Sequence, residues 1–146
     1  MTTAPRTLLA FDYGKKRIGI AVGQELTKSA TPLATLQNTS GAVVWKAIDE
    51  IVAQWQPQAL VVGLPLNADG TEHDVTRLAK QFGNQLQARY NLDTYWVDER
   101  LTSNEAKRMI AAGRSGRKAR QGDKSEIDRM AAKLILESWF NQQPSG

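Results

Sequence analysis

The stretch Thr7-Leu8-Leu9-Ala10-Phe11-Asp12-Tyr13-Gly14 decides the fold, because it joins a short apolar run to an acid and a turn. The apolar residues predict a buried strand over residues 7–11, and the Asp-Tyr-Gly sequence predicts the turn that follows it. In an open α/β sheet, ligands bind outside the carboxyl ends of the parallel strands. Asp12 is therefore a candidate site residue, although a plain turn would also explain an aspartate at this position.

Four further strands and four helices are predicted from the spacing of the apolar residues. The strands cover residues 17–22, 30–36, 59–64 and 94–97, and the helices cover residues 41–55, 74–90, 102–112 and 125–141. The first three strands would form an antiparallel meander, and the later strands alternate with helices. We therefore predict one α/β domain over residues 1–146, with a mixed five-stranded sheet and helices on both faces.

The composition narrows the chemistry that this domain can carry out. The chain of 146 residues contains no cysteine and a single histidine, His73, in a predicted loop. Thiolates are absent, and a lone loop histidine is more often solvated than a ligand. A catalytic metal must therefore be bound mainly by carboxylates, which favours Mg²⁺ or Mn²⁺. No apolar run is long enough to cross a bilayer, so we expect no membrane contact and a cytoplasmic location.

The positive charge of the chain is concentrated in one segment. Residues 113–124 carry five basic residues against one acid, which accounts for the whole net charge of +4. A basic loop that contains glycine, on an otherwise neutral domain, is typical of contact with a polyanion. An exposed loop that only keeps the protein in solution is the alternative. The residues of this segment that we predict to bind nucleic acid are Arg114, Arg117, Lys118 and Arg120.

Three carboxylates in separate segments form the predicted site. Asp12 and Glu99 each follow an apolar strand, and Asp128 lies in the first turn of the last predicted helix. Carboxylates that are brought together repel one another unless a cation lies between them. Two divalent ions held by such acids can activate water and stabilise the leaving oxygen in phosphodiester cleavage. We therefore predict that Asp12, Glu99 and Asp128 are catalytic and bind metal.

The later acids also have structural explanations. Glu99 could pair with a base on the surface. Asp98 could be the inward acid instead, because neighbouring strand residues face opposite sides. Asp128 follows Ser125 by three residues and could be the acidic partner in a helix capping box.

Basic residues flank two of the acids. Lys15, Lys16 and Arg17 lie in a predicted hairpin after Asp12, and Arg100 follows the second acid directly. Such side chains can hold substrate phosphates with little sequence preference, so we predict that all four bind nucleic acid. A solvated cluster is again the alternative. The four tryptophans fall on helix stripes or in structured elements, and we interpret them as core or rim residues.

Four motifs follow one another along nearly the whole chain. They are Asp12-Tyr13-Gly14-Lys15-Lys16-Arg17-Ile18-Gly19-Ile20-Ala21, Gly63-Leu64-Pro65-Leu66-Asn67 with Asp69-Gly70-Thr71, Asp98-Glu99-Arg100-Leu101-Thr102-Ser103, and Ile127-Asp128-Arg129-Met130-Ala131-Ala132 followed by Ile135-Leu136. Together they resemble the signatures of the YqgF family, also called RuvX. The resemblance implies a ribonuclease H-like fold, related to that of RuvC Holliday-junction resolvases. It also implies the family's acids at Asp12, Glu99 and Asp128, and processing of the 5′ end of pre-16S ribosomal RNA.

One position differs from the pattern of the resolvases and favours RNA processing over junction cleavage. Resolvases of this fold usually carry a fourth acid one helical turn before the last one, and Ser125 occupies that place here. We therefore expect a two-metal nuclease that acts on structured RNA in ribosome biogenesis, as a monomer or homodimer, with a pre-ribosomal particle as a candidate partner. The alternatives are a DNA junction resolvase, a non-catalytic RNA-binding assembly factor, and an ATP-using phosphotransferase. Phosphotransferases of that type also open with an Asp-x-Gly motif, but they need two lobes that each begin in this way, and this chain has one such motif.

Overall fold

A computed structural model describes residues 5–99 and 123–143 of the chain. The strands in these ranges are β1 (Thr7–Tyr13), β2 (Arg17–Gln24), β3 (Ser29–Gln37), β4 (Ala59–Leu64) and β5 (Asp93–Asp98). The helices are α1 (Gly41–Trp55), α2 (Asp74–Tyr90) and α3 (Asp123–Gln142). None of these three helices is both long and apolar enough to span a membrane. The helix predicted over residues 102–112 lies outside the described residues.

The five strands form one mixed sheet in the order β3-β2-β1-β4-β5. β1, β2 and β3 pair antiparallel, as the predicted meander requires, while β4 is parallel to both β1 and β5. The ends of β1, β4 and β5 therefore meet at one side of the sheet, which we call the carboxyl edge. This arrangement confirms the predicted mixed five-stranded sheet.

Helices cover both faces of the sheet, because strand side chains alternate between two apolar surfaces. One core lies between the sheet and α1 and α2, and it includes Leu9, Phe11, Ile20, Val44, Ile48, Phe82 and Leu86. The other core lies between the sheet and α3, and it includes Leu8, Ala10, Val61, Ile135, Leu136, Trp139 and Phe140. The predicted helices on both faces are confirmed.

The helix α3 differs from its prediction in its start and in its buried face. It begins at Asp123, two residues earlier than predicted. The helical spacing of the sequence predicts an apolar stripe of Ile127, Met130, Ala131, Leu134 and Ser138, but of these only Leu134 is buried. The buried residues are Ala132, Leu134, Ile135, Leu136, Trp139 and Phe140. The predicted stripe is wrong because α3 contacts all five strands of the sheet, so a broader face is covered than one helical period can indicate.

Arg6 lies immediately before β1, at the end of the sheet opposite to the carboxyl edge, and its side chain contacts three other segments of the chain. Its guanidinium donates to Glu25 and to the hydroxyl of Tyr95, each at 3.1 Å. It also lies over the rings of Tyr95 and Trp139, 5.7 and 5.9 Å from their centroids. These four residues, which we call the Arg6 cluster, link β1, β5, α3 and the chain after β2.

Candidate active site

Asp12 lies one residue before the end of β1, on the face of the sheet that α3 covers. Ala10 packs toward α3, and the alternation of strand residues places the side chain of Asp12 on the same side. Asp12 pairs across the sheet with Gly19 of β2. On the other side, Phe11 pairs with Val62 of β4, so the next residue, Gly63, lies beside Asp12. Asp12 is therefore flanked on both neighbouring strands by residues that have no side chain.

Glu99 follows β5 directly and reaches Asp12 across the backbone of β4. β4 separates β5 from β1, yet the side chains of Asp12 and Glu99 form a hydrogen bond. A Cβ built on Gly63 would lie 2.7 Å from Cγ and 2.8 Å from Oε1 of Glu99. The side chain of Glu99 thus lies directly over Gly63. The structure favours Glu99, and not Asp98, as the inward acid.

The hydrogen bond between Asp12 and Glu99 requires a proton, because two ionised carboxylates are both acceptors. Burial raises the pKa of Glu99 far above its ordinary value, and the hydrogen bond and charge of Asp12 and the charge of Asp98 raise it further. Burial also raises the pKa of Asp12, the hydrogen bond from Glu99 lowers it, and the charge of Asp128 raises it. At neutral pH, Glu99 is therefore the protonated partner and Asp12 is the acceptor.

Asp128 lies in the second turn of α3, directly over β2. A Cβ built on Gly19 would come within 2.1 Å of the carbonyl oxygen of Asp128, so the helix backbone touches the strand here. Asp128 accepts a hydrogen bond of 2.6 Å from Nε of Arg17, and less than a third of either side chain is exposed. α3 begins at Asp123, so Ser125 lies inside the helix and cannot be its N-cap. The capping-box explanation of Asp128 is therefore wrong.

The structure thus brings the three predicted acids together at the carboxyl edge. Within residues 5–99 and 123–143, no three acidic or histidine side chains form a ready-made metal cage. A shared proton and the Arg17 guanidinium balance the negative charges instead, as expected for carboxylates held close together. The donor set is nevertheless all oxygen, which is the chemistry that Mg²⁺ and Mn²⁺ prefer.

Two exposed lysines lie in the hairpin that follows Asp12. Lys15 and Lys16 occupy the turn between β1 and β2. Asn38 holds this turn in place by donating from its side chain to the carbonyl of Gly14 and from its backbone to that of Lys16, both at 2.8 Å. Arg17 differs from its neighbours, since it is paired with Asp128. The remaining predicted nucleic-acid contacts lie outside the described residues, namely Arg100, Arg114, Arg117, Lys118 and Arg120.

His73 is the N-cap of α2, a role that no pattern in the sequence indicates. Its Nδ1 accepts a hydrogen bond of 3.2 Å from the N–H of Val75, and its own N–H donates to the hydroxyl of Thr76 at 3.1 Å. The same Thr76 hydroxyl, which is fully buried, donates to the carbonyl of Pro65. Capping boxes usually open with serine or threonine, so a histidine three residues before a threonine does not indicate one. His73 therefore has a structural role as the cap of α2, and its side chain remains partly exposed.

The sheet order, the helices on both faces and the acids at the strand ends define a ribonuclease H-like domain. RuvC of Thermus thermophilus in complex with a Holliday junction substrate matches 92% of this chain and 93% of its own, with a TM-score of 0.60 and 16% identity. A second structure of RuvC from Thermus thermophilus matches 92% of this chain and 96% of its own, with a TM-score of 0.54 and 12% identity. At these identities the likeness establishes the fold.

Sequence comparison defines the family more narrowly. The model of the RuvX family, described as Holliday junction resolvase, matches residues 6–142. A protein of Paraburkholderia xenovorans named "Putative pre-16S rRNA nuclease" is 51% identical over 135 residues, covering 92% of this chain and 88% of its own. A protein of the same name from Nitrosococcus oceani is 46% identical over 139 residues, covering 95% and 89%. The chain belongs to the RuvX family.

Proposed function

We propose that this protein is a metal-dependent nuclease that hydrolyses phosphodiester bonds at the 5′ end of pre-16S ribosomal RNA. The observation that carries the proposal is the convergence of Asp12, Glu99 and Asp128 at the carboxyl edge. Partly buried carboxylates that repel one another weaken a fold. Carboxyl groups with strongly shifted pKa values at the strand ends of an α/β sheet therefore support a functional site rather than a structural one.

Asp12, Glu99 and Asp128 are the residues that would hold Mg²⁺ or Mn²⁺. Divalent cations bound there would supply an activated water and would stabilise the leaving oxygen of the phosphodiester. Asp12 interacts with both other acids, so it would help to hold an ion together with either of them. Glu99 would release its proton and Asp128 would release Arg17 when their oxygens become ligands.

The basic residues beside the acids would hold the RNA backbone. Lys15 and Lys16 are exposed in the hairpin that follows Asp12, where they can contact phosphates without selecting a base. Arg17 can join them once it leaves Asp128. Arg100 and the basic residues of 113–124 remain predicted contacts of the same kind.

RNA is the favoured substrate because relatives that carry the pre-16S rRNA nuclease name share about half of their residues with this chain over most of its length. A DNA four-way junction is the second candidate. The fold match to a RuvC bound to such a junction supports it, as does the description of the family. Ser125, at the place of the resolvases' fourth acid, argues against junction cleavage.

The test compares Asp12→Asn with Asp49→Asn. Asp49 is an acid on α1 that pairs with Arg89 and Tyr90, on the opposite face of the sheet. Each protein is incubated with a pre-16S rRNA 5′ segment or a four-way DNA junction, in Mg²⁺, Mn²⁺ or EDTA. We expect metal-dependent RNA cleavage by the wild type and by Asp49→Asn, and none by Asp12→Asn.

The other outcomes separate the alternatives. Cleavage of the junction alone, by a dimer in sedimentation, would identify a resolvase. Wild-type growth and rRNA maturation in cells with Asp12→Asn, together with loss of both in a variant with its loop arginines neutralised, would identify a non-catalytic assembly factor. Wild-type cleavage by folded Asp12→Asn would refute the assigned site.

A further inference from the structure

We propose that Gly63 and Gly19 are positioning residues, because their missing side chains set the spacing between Asp12 and the other two acids. The inference rests on the proposed function, since it concerns the metal site of that nuclease. It adds residues that do not touch the metal or the RNA and that act only through Glu99 and Asp128.

Because Gly63 has no side chain, the side chain of Glu99 has room to cross β4 at this position. The first and last strands of the parallel set, β1 and β5, are not neighbours, so Glu99 has to pass over a whole strand to reach Asp12. A Cβ at position 63 would lie 2.7 Å from Cγ of Glu99 and 2.5 Å from Cδ1 of Ile135. The tip of Ile135 can rotate away at small cost. Glu99 cannot move without leaving its place over the strand, so an alanine here would separate it from Asp12.

Gly19, on the other side of Asp12, gives room for Asp128 in the same way. The nearest atoms to a Cβ at position 19 are the carbonyl oxygen and carbon of Asp128, at 2.1 and 2.5 Å. These are backbone atoms, so a side chain here would lift the second turn of α3 away from β2. In the row Gly19-Asp12-Gly63, Asp128 lies over one glycine and Glu99 lies over the other. Each missing side chain therefore lets one acid approach Asp12.

Gly23 provides a comparison for the row, because it packs closely against α3 without contacting an acid. It lies on the same strand and face as Gly19, and a Cβ there would meet Leu136 at 2.5 Å and the carbonyl of Ser29 at 2.7 Å. Gly23 thus allows α3 to pack closely at a point remote from the acids. Gly23→Ala is the matched control, because it crowds the same helix without touching a carboxylate.

The experiment measures Mn²⁺ binding by calorimetry in the absence of RNA. Gly63→Ala is made in an Ile135→Val background, which removes Cδ1 and leaves Glu99 as the main obstacle. We expect Mn²⁺ affinity to fall by about 10- to 100-fold relative to Ile135→Val alone, as for residues that support metal ligands. Gly23→Ala in the same background should bind Mn²⁺ as Ile135→Val does. Equal affinity in a folded Gly63→Ala protein would overturn the proposal.

A thermal-stability cycle covers the case in which Gly63→Ala folds poorly. Gly63→Ala is compared in proteins with Glu99 and with Glu99→Ala. We expect Gly63→Ala to lower Tm clearly less when the Glu99 side chain is absent, whereas Gly23→Ala should lower Tm equally in both. A loss of Tm at Gly63→Ala that does not depend on Glu99 would show that Gly63 is only a packing residue.

A third measurement separates this inference from the proposed function. Where RNA cleavage is observed, Gly63→Ala should lower kcat and leave KM for RNA unchanged, because the phosphate contacts come from other segments. If the wild type binds Mn²⁺ but cleaves no RNA, the nuclease assignment fails while the loss of Mn²⁺ binding in Gly63→Ala still supports the spacing role. If the wild type binds no Mn²⁺, both proposals fail.

Discussion

Replacing Glu99 by glutamine should make the stability of the metal-free protein less dependent on pH. The side chain of Glu99 donates a proton to Asp12 in the folded state, and its pKa is raised above the ordinary value of 4.5. A glutamine amide has nearly the same shape and can donate to Asp12 at every pH. The variant therefore keeps the hydrogen bond but removes the titration.

The sign and size of the effect follow from proton linkage. Above about pH 4.5, the unfolded chain has lost the Glu99 proton while the folded protein still holds it, so the free energy of unfolding falls as pH rises. One extra bound proton corresponds to about 1.4 kcal/mol per pH unit. Between about pH 5.5 and 7.5, the wild type should lose roughly 3 kcal/mol that Glu99→Gln does not lose.

Urea unfolding in EDTA at three pH values measures this difference. Glu72→Gln is the control, because Glu72 is an exposed acid paired with Lys80 and should keep the wild-type slope. Other titrating groups are common to all three proteins and cancel in the comparison. Equal slopes for the wild type and Glu99→Gln would refute the shared proton, and with it the contact between Asp12 and Glu99.

Three further variants test other contacts by chemical denaturation. Arg17→Ala should lower the free energy of unfolding by about 1.5–3 kcal/mol, because Asp128 loses a charged hydrogen bond; Arg17→Lys should restore part of it, and no loss in Arg17→Ala would contradict the pair. Thr76→Val should lower the free energy of unfolding by about 1–3 kcal/mol, because the carbonyl of Pro65 loses its donor and the N–H of His73 loses its acceptor, and an unchanged midpoint would contradict these contacts. Phe82→Ala should lower the free energy of unfolding by about 3–5 kcal/mol, because the substitution leaves a cavity in the core beneath α2. A loss below about 1 kcal/mol would contradict the packing described.

The sequence predicted the sheet well because its strands differ in pattern. The alternating residues of β2 and the continuous apolar run of β4 distinguish an antiparallel strand with one glycine-rich face from a buried parallel strand. The rule for strand ends then selected Asp12 and Glu99. Neither inference needs a contact between distant residues, which is why both could be made from the order of elements.

The features that the sequence did not predict depend on distant partners or on unusual ones. Arg17 and Asp128 are 111 residues apart, and no local pattern indicates that they pair. The crossing of Glu99 over Gly63 depends on the strand order, and the cap at His73 uses a residue that is uncommon in that role. The buried face of α3 was misplaced because Leu134-Ile135-Leu136 is apolar on consecutive positions and fits more than one helical stripe.

The Arg6 cluster is a place where the stability of this domain can be increased without altering the carboxyl edge, where the proposed site lies. Arg6 and Asp12 lie at opposite ends of one strand, about 20 Å apart for six residues of extended chain. Substitutions that add charge near Asp12 to improve turnover will weaken the fold, and compensating changes can be made around Glu25, Tyr95 and Trp139. Stability can therefore be changed at the Arg6 end of β1 while the Asp12 end remains unaltered. This applies to design for heat resistance and to adaptation to a hotter habitat.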